Sequence, residues 1–294
     1  FFKQKTAYEI STRDWSSDVC SSDLVALAAM VPLFSRMGHF PYQVPTAVVS
    51  NTLDFGKFRI QDMTDYMRDT IKVWDELGFD PDCICTGFVL SEEQVELIGD
   101  YIRSRKPRID EIQNVDNGRL VMVDPIMADG GKLYNGIGME RVAAMRKLVS
   151  YSDVMVPNMT EAGFLTGICP GRERASAAEL RELVDGLHKL SGKSVVITSA
   201  QDSETDEHLV CGYDHKSGQY FRVPFIFLPV RVAGSGDIFS TVMTGKLLNG
   251  ESLEAAVREA VRVLTALIRE NQSHLDEYKG ILIERYWELL DENN

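Results

Sequence analysis

The segment VAGSGDIFS, Val232 to Ser240, contains the residues of this chain whose types and spacing are best suited to chemistry. It follows an apolar, strand-like run from Phe225 to Val230 and opens an apolar-periodic helix predicted over Ile238 to Leu248. The first N–H groups of a helix have no partner inside it, and the peptide dipoles leave partial positive charge there. This turn is therefore predicted to bind an anion such as a phosphate group.

Asp237 is the candidate general base, because it lies beside the predicted anion site and can take a proton from an attacking hydroxyl group. Gly234 and Gly236 are expected to adopt backbone conformations that a side chain would forbid, which lets a phosphate group come close. Ser235 lies between them. An aspartate near a helix start is also common for electrostatic reasons alone, so this motif by itself leaves both interpretations open.

Two better-known phosphate motifs do not fit the chain. A dinucleotide-binding fingerprint needs Gly or Ala where Phe239 stands. Gly192-Lys193-Ser194 resembles the end of a P-loop, but Leu187 replaces its first glycine and the segment leads into a strand rather than a helix. Neither motif is therefore assigned.

The elements that must position these residues alternate along the chain, with single helices between strands. This order predicts right-handed crossovers and an α/β fold with a mostly parallel sheet between two helical layers. The predicted strands are 44–50, 82–86, 120–123, 153–156, 194–199, 208–213 and 219–223. The predicted helices are 25–37, 62–77, 138–149, 175–190 and 238–248, with further helices starting at Ser91, Ser252 and about Leu275.

Polar residues collect where five of these strands end. In open α/β sheets, ligands bind outside the carboxyl ends of the strands. Agreement between five strand ends and one anion-binding turn favours a catalytic site over any isolated structural explanation. The residues concerned are Ser50, Asn51, Thr52, Thr86, Gly87, Asp124, Asn158, Glu161, Thr198 and Ser199.

Composition and charge limit the class of protein. A chain of 294 residues with 44% hydrophobic residues is long enough for one large domain, and its net charge of -13 argues against a general basic surface for nucleic acid. No apolar run approaches the ~20 residues of a membrane span. The five cysteines are odd in number and lack CxxC spacing, which favours a cytoplasmic protein.

Residues 1–24 differ from the rest of the chain, because they show no sustained period of 2 or 3.6 and contain no initiator Met. They resemble translated sequencing-adapter read-through, so we treat them as a foreign or disordered segment. Residues 25–294 are predicted to form one domain.

The chain resembles the ribokinase-like superfamily and, within it, the pyridoxal/pyridoxamine kinase family. The resemblance spans Val25 to the C-terminus, and MADGGKLY favours the pyridoxamine kinase branch. It implies a three-layer α/β/α sandwich and a homodimer. The net charge and the lack of a long apolar run predict neither a nucleic-acid nor a membrane partner. The motifs that carry the resemblance are PTAVVSN (45–51), TGFVLSEEQ (86–94), VDPIMADGGKLY (123–134), VPNMTEA (156–162), VVITS (195–199) and GSGD (234–237).

The resemblance also implies roles for individual residues in phosphorylation of a B6 vitamer by ATP. Asp237 activates the hydroxymethyl oxygen, and the backbone of Gly234, Ser235 and Gly236 holds the transferring phosphoryl group. The acidic residues expected near Mg²⁺ are Asp124, Asp129 and Glu161, with a monovalent cation such as K⁺ as a further candidate. The nucleotide-binding residues are Asn158, Thr198 and Ser199, and the substrate-binding residues are Ser50, Phe88 and Asp237.

Structural alternatives remain for several of these residues. Asp124 before Pro125 is also typical of a strand-end cap, Glu161 of a first-turn helix acid, and Thr198 of a half-buried strand residue. Phe88 stands where the family often has Tyr, and it is also compatible with an ordinary core aromatic.

The chain departs from the family in two places. Thr52 and Leu53 follow Asn51 where family members often have His, which leaves the substrate preference open. Residues 1–24 occupy the place of the family's first strand and substrate loop, so we predict that this strand is missing. A hydroxymethylpyrimidine or sugar kinase, and a non-catalytic nucleotide-binding protein, remain as alternatives.

Overall fold

A computed structural model describes residues 15–16, 19–20, 25–51, 57–105, 119–230, 232–273 and 281–290. The helices within these residues are α1 (Leu27–Arg36), α2 (Thr64–Glu76), α3 (Glu92–Arg105), α4 (Met139–Val149), α5 (Met159–Thr166), α6 (Ala177–Ser191), α7 (Ser235–Leu248) and α8 (Leu253–Asn271). Two 3₁₀ turns, Ile283–Arg285 and Trp287–Leu290, follow α8. The α-helix predicted from about Leu275 is therefore not found over 281–290, and residues 274–280 lie outside the described part of the chain.

Strands alternate with these helices. They are β1 (Trp15–Ser16), β2 (Val19–Cys20), β3 (Tyr42–Gln43), β4 (Ala47–Val49), β5 (Ile60–Asp62), β6 (Cys83–Thr86), β7 (Leu120–Val123), β8 (Ala128–Asp129), β9 (Lys132–Leu133), β10 (Val154–Met155), β11 (Arg174–Ala175), β12 (Ser194–Asp202), β13 (His208–Asp214) and β14 (Gln219–Pro224).

The main sheet contains seven strands within the described residues, in the order β14-β13-β12-β10-β7-β6 with β11 paired to β12. The strands from β6 to β12 are parallel, and β13 and β14 extend the sheet as an antiparallel hairpin. A parallel order with intervening helices is the predicted α/β arrangement, which the structure confirms.

Helices cover both faces of this sheet. Successive side chains of each strand point to opposite faces, and both faces are buried. Ile84 of β6 packs in the core under α2 to α6, whereas its neighbours Cys83 and Cys85 pack against α1, α7 and α8. The result is the predicted three-layer α/β/α sandwich. Within the part of the chain that is described, no helix is long and apolar enough to cross a lipid bilayer.

A smaller sheet lies beside the carboxyl edge of the main sheet. Its strand β4 pairs parallel with β2 and antiparallel with β5, with Val48 opposite Gln61. We call the β4–β5 pair the flap hairpin. β5 was not predicted, since Ile60-Gln61-Asp62 is too short and polar to stand out as a strand.

That the family's first strand is missing stays a prediction, because the two short strands from residues 1–24 are not hydrogen-bonded into the main sheet. The strand β1 pairs parallel with β3 and lies beside β6, at the edge of the main sheet. Only Trp15 and Ser16 take part in this pairing. Apart from residues 15–16 and 19–20, the predicted foreign or disordered segment lies outside the described residues.

The prediction of a strand over Phe225 to Val230 is wrong. The β13–β14 pairing ends where Phe225 N donates to the carbonyl of His208 at 2.9 Å, and an irregular segment follows. Pro229 cannot donate to a ladder, and Ile226 and Phe227 are 64% and 54% exposed rather than buried in a sheet. This segment is apolar because it lines a cavity, as described below.

Candidate active site

The start of α7 has the backbone geometry of an anion site. Gly234 is the N-cap residue with φ 80°, a left-handed conformation that favours glycine. The first intrahelical bond runs from Ile238 N to Gly234 O at 3.0 Å, so the amides of residues 235–237 precede the hydrogen-bond ladder. They supply donors and the positive end of the helix dipole.

Gly236 differs from Gly234. It lies outside the left-handed region, and a Cβ built there would meet only Asp124 Oδ2, at 4.0 Å. The prediction that Gly236 needs a special backbone conformation is therefore wrong. Its missing side chain instead leaves open space in front of the helix start.

Asp237 lies in the first turn of α7, half-buried at the cavity surface. Its Oδ2 accepts a 2.9 Å hydrogen bond from the backbone amide of Ala26. Burial raises the pKa of Asp237 to about 6, and the Ala26 amide opposes part of that rise. A carboxylate in this pKa range is ionised at neutral pH and still basic enough to accept a proton.

Asp124 follows β7 and is buried near the same point. Burial raises its pKa well above the ordinary range, and the charges of Glu161 and Asp237 add to that rise. Ser240 Oγ donates to Asp124 Oδ2 at 3.1 Å and partly offsets it. Asp124 is therefore close enough to two further carboxyl groups, at the carboxyl edge of the sheet, to be affected by their charges.

Glu161 is held by backbone donors on two sides. Its Oε2 accepts from Asn158 N at 2.9 Å, while Asn158 Oδ1 accepts from Glu161 N at 2.9 Å, which forms a capping box on α5. Its Oε1 accepts from Met127 N at 3.0 Å. Burial nevertheless raises its pKa to about 8. Glu161 therefore has the capping role that the structural alternative predicted, within the same acidic group.

The remaining polar residues of the predicted site surround this group. Asn158 Nδ2 donates to Ala128 O at 2.8 Å and so joins α5 to the β8–β9 turn that carries Asp129. Asn158 and Thr198 form an isolated parallel bridge between neighbouring strand ends. Ser199 follows at an irregularity in β12 with φ 55°, a conformation uncommon for a residue with a side chain.

A cavity of about 1770 Å³ joins these groups. Its size exceeds that of a pocket for one small ligand and is sufficient for a nucleotide and a second substrate together. Eleven of the twelve predicted site residues line it. They are Phe88, Asp124, Asp129, Asn158, Glu161, Thr198, Ser199, Gly234, Ser235, Gly236 and Asp237.

Ser50 is the exception, because it is not among the residues that line the cavity. Its Oγ accepts from Arg59 N at 2.9 Å and donates to Asn51 Oδ1 at 2.7 Å, which closes the flap hairpin. Asn51 lines the cavity in its place, with Phe58 and Ile60 from the other arm of the hairpin. Ser50 therefore shapes the flap, and these three neighbours face the ligand space.

The donor set fits Mg²⁺ held mainly by nucleotide phosphates and water. The described residues contain no group of three His, Cys, Asp or Glu that can hold an ion by themselves. Both oxygens of Glu161 are engaged by backbone amides, whereas Asp124 uses Oδ2 for Ser240. Mg²⁺ commonly binds one or two carboxylates and otherwise phosphates and water, so Asp124 and the exposed Asp129 are suitable residues.

An apolar wall of the cavity was not predicted. We define it as the cavity-lining residues Phe225, Ile226, Phe227, Leu228, Val230, Val232, Val261, Leu264 and Ile268. Its α8 members and Thr265 recur at positions 261, 264, 265 and 268, which is one face of a helix. That spacing was available in the sequence, next to the stripe that α8 buries in the core.

Two arginines at the cavity rim were also missed. Arg172 is held by Glu179 through Nη1–Oε1 and Nη2–Oε2 contacts of 2.9 and 3.2 Å, and Arg174 pairs with Asp206. Both rim cations are thus already paired with acids. An anionic ligand here depends on the α7 amides and on a bound cation for neutralisation.

A comparison with protein-family models matches residues 28–282 to the phosphomethylpyrimidine kinase family. Among curated proteins, the pyridoxine/pyridoxal/pyridoxamine kinase of Bordetella avium is 31% identical over 240 residues, which cover 79% of this chain and 76% of that protein.

Solved structures show the same likeness. A Bacteroides thetaiotaomicron protein assigned as a phosphomethylpyrimidine kinase, crystallised with pyridoxal, superposes with a TM-score of 0.87 at 30% identity and covers 96% of each chain. Pyridoxal kinase from Lactobacillus plantarum has a TM-score of 0.82 at 25% identity, covering 96% of this chain and 97% of that one.

Proposed function

This chain belongs to the phosphomethylpyrimidine kinase family, and from that premise we propose that it transfers the γ-phosphoryl group of ATP to the hydroxymethyl oxygen of a vitamin B6 vitamer. The vitamers are pyridoxal, pyridoxine and pyridoxamine. The observation that carries the proposal is Asp237, a carboxylate of raised pKa at the start of α7 beside a left-handed glycine. The names of the relatives and the pyridoxal-bound structural neighbour support this substrate class.

Asp237 is the general base of the proposed reaction. Because the Ala26 amide occupies Oδ2, we assign the proton of the substrate's hydroxyl group to Oδ1. The hydroxyl oxygen then attacks the γ-phosphorus as the bond to the β–γ bridging oxygen breaks, and ADP leaves. Phosphoryl transfer depends mostly on positioning and charge neutralisation, so one base and an anion site suffice.

The α7 start neutralises charge on the transferring group. Amides of residues 235–237 are fixed before the reaction by the Gly234 cap, so they need no reorganisation as negative charge moves to the bridging oxygen. The open space in front of Gly236 gives the phosphoryl group room to approach these donors.

In this proposal Asp124 and Asp129 would hold Mg²⁺ together with the phosphates of the nucleotide. When bound with the nucleotide, it neutralises phosphate charge that the paired rim arginines do not. Asn158 and Thr198 bring two strand ends together beside this position. We extend the proposal to a monovalent cation, which replacement of K⁺ by Na⁺ in the assay tests.

The two substrates take opposite ends of the cavity in this proposal. The adenine base contacts the apolar wall, where α8 supplies Thr265 as a polar group among aliphatic side chains. The pyridine ring contacts Phe88 and the flap hairpin. An aromatic ring over Phe88 stacks without needing the hydroxyl that Tyr carries in many relatives.

We further propose that residues 25–294 form one kinase domain, that the protein is cytoplasmic, and that it works as a homodimer. Cys83, Cys85 and Cys211 are buried and form no disulfide, which agrees with a reducing compartment. Light scattering of the purified protein tests the dimer directly.

One panel assay tests the function. Purified protein is given ATP, Mg²⁺ and, separately, pyridoxal, pyridoxine, pyridoxamine, hydroxymethylpyrimidine or ribose, and the phosphorylated product is identified by mass spectrometry. We expect at least one B6 vitamer to have the highest kcat/KM. The family's own description makes hydroxymethylpyrimidine the second candidate. Highest kcat/KM for that compound or ribose contradicts the substrate assignment, and ATP binding without any product supports a non-catalytic protein.

A further inference from the structure

Gln94 is a fully buried polar residue in the first turns of α3, and its amide joins three separate segments. Nε2 donates to Thr46 O at 2.9 Å and to Thr64 Oγ1 at 3.0 Å. Oε1 accepts from Leu90 N at 2.8 Å. A buried amide whose donors and acceptor are all engaged fixes the relative positions of the segments that it joins.

One of these segments carries Phe88. Thr46 Oγ1 donates to Phe88 O at 2.7 Å, and Leu90, two residues further on, is the Gln94 partner. The Arg141 guanidinium donates to the carbonyls of Val89 and Leu90 from the other side. The backbone around Phe88 is thus held at three successive residues, which fixes where its ring meets the cavity.

A second segment is the flap hairpin. Thr46 immediately precedes β4, and its carbonyl also accepts from Met63 N at 3.1 Å, just beyond β5. The flap residues Val49 and Ile60 line the cavity. Gln94 therefore connects two segments that line the cavity, the Phe88 segment and the flap hairpin, and does not line the cavity itself.

We propose that Gln94 is a positioning residue that sets the distance between Phe88 and the flap hairpin, and thereby the affinity for the ring-bearing substrate but not for the nucleotide. This inference rests on the proposed function. The apolar wall and the α7 start share none of the Gln94 hydrogen bonds.

Gln94→Glu is the sharpest test, because it keeps the shape and the acceptor for Leu90 but replaces the donors. The ionised carboxylate would face the Thr46 carbonyl and also Asp62, whose Oδ1 lies 3.4 Å from Gln94 Nε2. The other charged groups nearby are Arg141, across the Leu90 segment, and the exposed Arg68–Glu93 pair. Burial and Asp62 both raise the pKa of the introduced carboxyl, so protonation at lower pH restores one donor.

The experiment measures equilibrium dissociation constants for pyridoxal and for ATP between pH 5.5 and 8, in wild type and in Q94E. The control is Gln219→Glu, the same chemical change at an exposed position of β14. At pH 8 we expect Q94E to bind pyridoxal about tenfold more weakly than wild type, with ATP binding changed less than about twofold. The ratio of the pyridoxal dissociation constant of Q94E to that of wild type should fall to about threefold at pH 5.5.

A second variant keeps the proposal testable if Q94E does not fold. Thr46→Val is nearly isosteric and removes the hydroxyl group that donates to Phe88 O, so pyridoxal should bind about threefold more weakly with unchanged ATP binding. Equal losses of affinity for pyridoxal and ATP would overturn the positioning role. So would a pyridoxal dissociation constant of Q94E equal to that of wild type at pH 8. If wild type itself does not bind pyridoxal, the proposed function fails instead.

Discussion

The backbone amide of Ala26 donates a 2.9 Å hydrogen bond to Asp237 Oδ2 from 211 residues earlier in the chain. Ala26 has φ 51°, a conformation that costs a residue with a side chain roughly 1–3 kcal/mol. The start of α1 thus positions the carboxylate at the start of α7. This bond stabilises the ionised form, whereas burial favours the neutral form, and the pKa of about 6 is the balance of the two.

Asp237→Asn should remove the base while keeping an acceptor for the Ala26 amide. We expect kcat to fall by about 10²- to 10⁴-fold, because that is the usual contribution of a positioned general base. The dissociation constants for ATP and pyridoxal should change little. Asp69→Asn, an exposed residue paired with Lys72, serves as the matched control. Wild-type kcat in D237N would contradict the assignment of the base.

The pH dependence of turnover should follow the ionisation of Asp237. With a pKa of about 6, the base is ionised at pH 7.5 and mostly protonated at pH 5, so kcat/KM should decline below about pH 6. Rates measured at saturating Mg²⁺ from pH 5 to 8 check this. A flat profile through pH 6, with the substrate's own titration taken into account, would not agree with Asp237 as the base.

Asp237 should also reduce the stability of the folded protein at neutral pH. Since its folded pKa of about 6 exceeds the ordinary 3.8, the folded state binds the proton more tightly than the unfolded chain. The resulting stabilisation is complete below about pH 4 and is lost as the pH rises through about 6, at most about 3 kcal/mol. Urea unfolding should therefore find D237N more stable than wild type at pH 7.5 and similar near pH 4. Equal stability at both pH values would contradict the raised pKa.

Much of the fold could be predicted because its central strands have an unambiguous signal. Leu120–Val123 is an apolar run that ends at Asp124-Pro125, and the structure gives β7 the same bounds. The segment from Phe225 to Val230 has a similar composition but lines the cavity. Apolar composition indicates that a segment is shielded from water, but it does not distinguish a buried strand from the wall of a ligand cavity.

The site residues at strand ends could be predicted from the sequence. The prediction was wrong where strand pairing decides which way a side chain points. Strand ends converge on one edge of a parallel sheet, which brings Asp124, Asn158 and Thr198 together regardless of local detail. The orientation of Ser50 instead depends on pairing with β5, whose sequence is too short and polar to predict a partner strand. Its hydroxyl bonds Arg59 N, and only the pairing register reveals this.

Alanine at Gly234 and at Gly236 should have different effects. Gly234→Ala introduces a side chain at φ 80°, which costs about 1–2 kcal/mol and displaces the α7 amides. Both stability and kcat should decrease. Gly236→Ala has room for its methyl group in the free protein, so stability should be unchanged while the methyl group obstructs the phosphoryl group. Thermal unfolding measures the change in stability, and kcat measures the change in activity. A G236A variant with wild-type kcat would contradict the proposal that the phosphoryl group passes close to Gly236.

Binding of Mg²⁺ with nucleotide should release a proton from the acidic group. Burial and the charges of Glu161 and Asp237 raise the pKa of Asp124 well above its usual range, and a divalent cation held beside this carboxyl group would lower that pKa again. Calorimetry of Mg²⁺ and ADP binding in two buffers of different ionisation enthalpy counts this proton. Asp124→Asn should reduce the release, whereas a release unchanged in D124N would assign the proton to Glu161, whose pKa is about 8. A binding enthalpy independent of the buffer would show that none of these carboxyl groups is protonated before the metal binds.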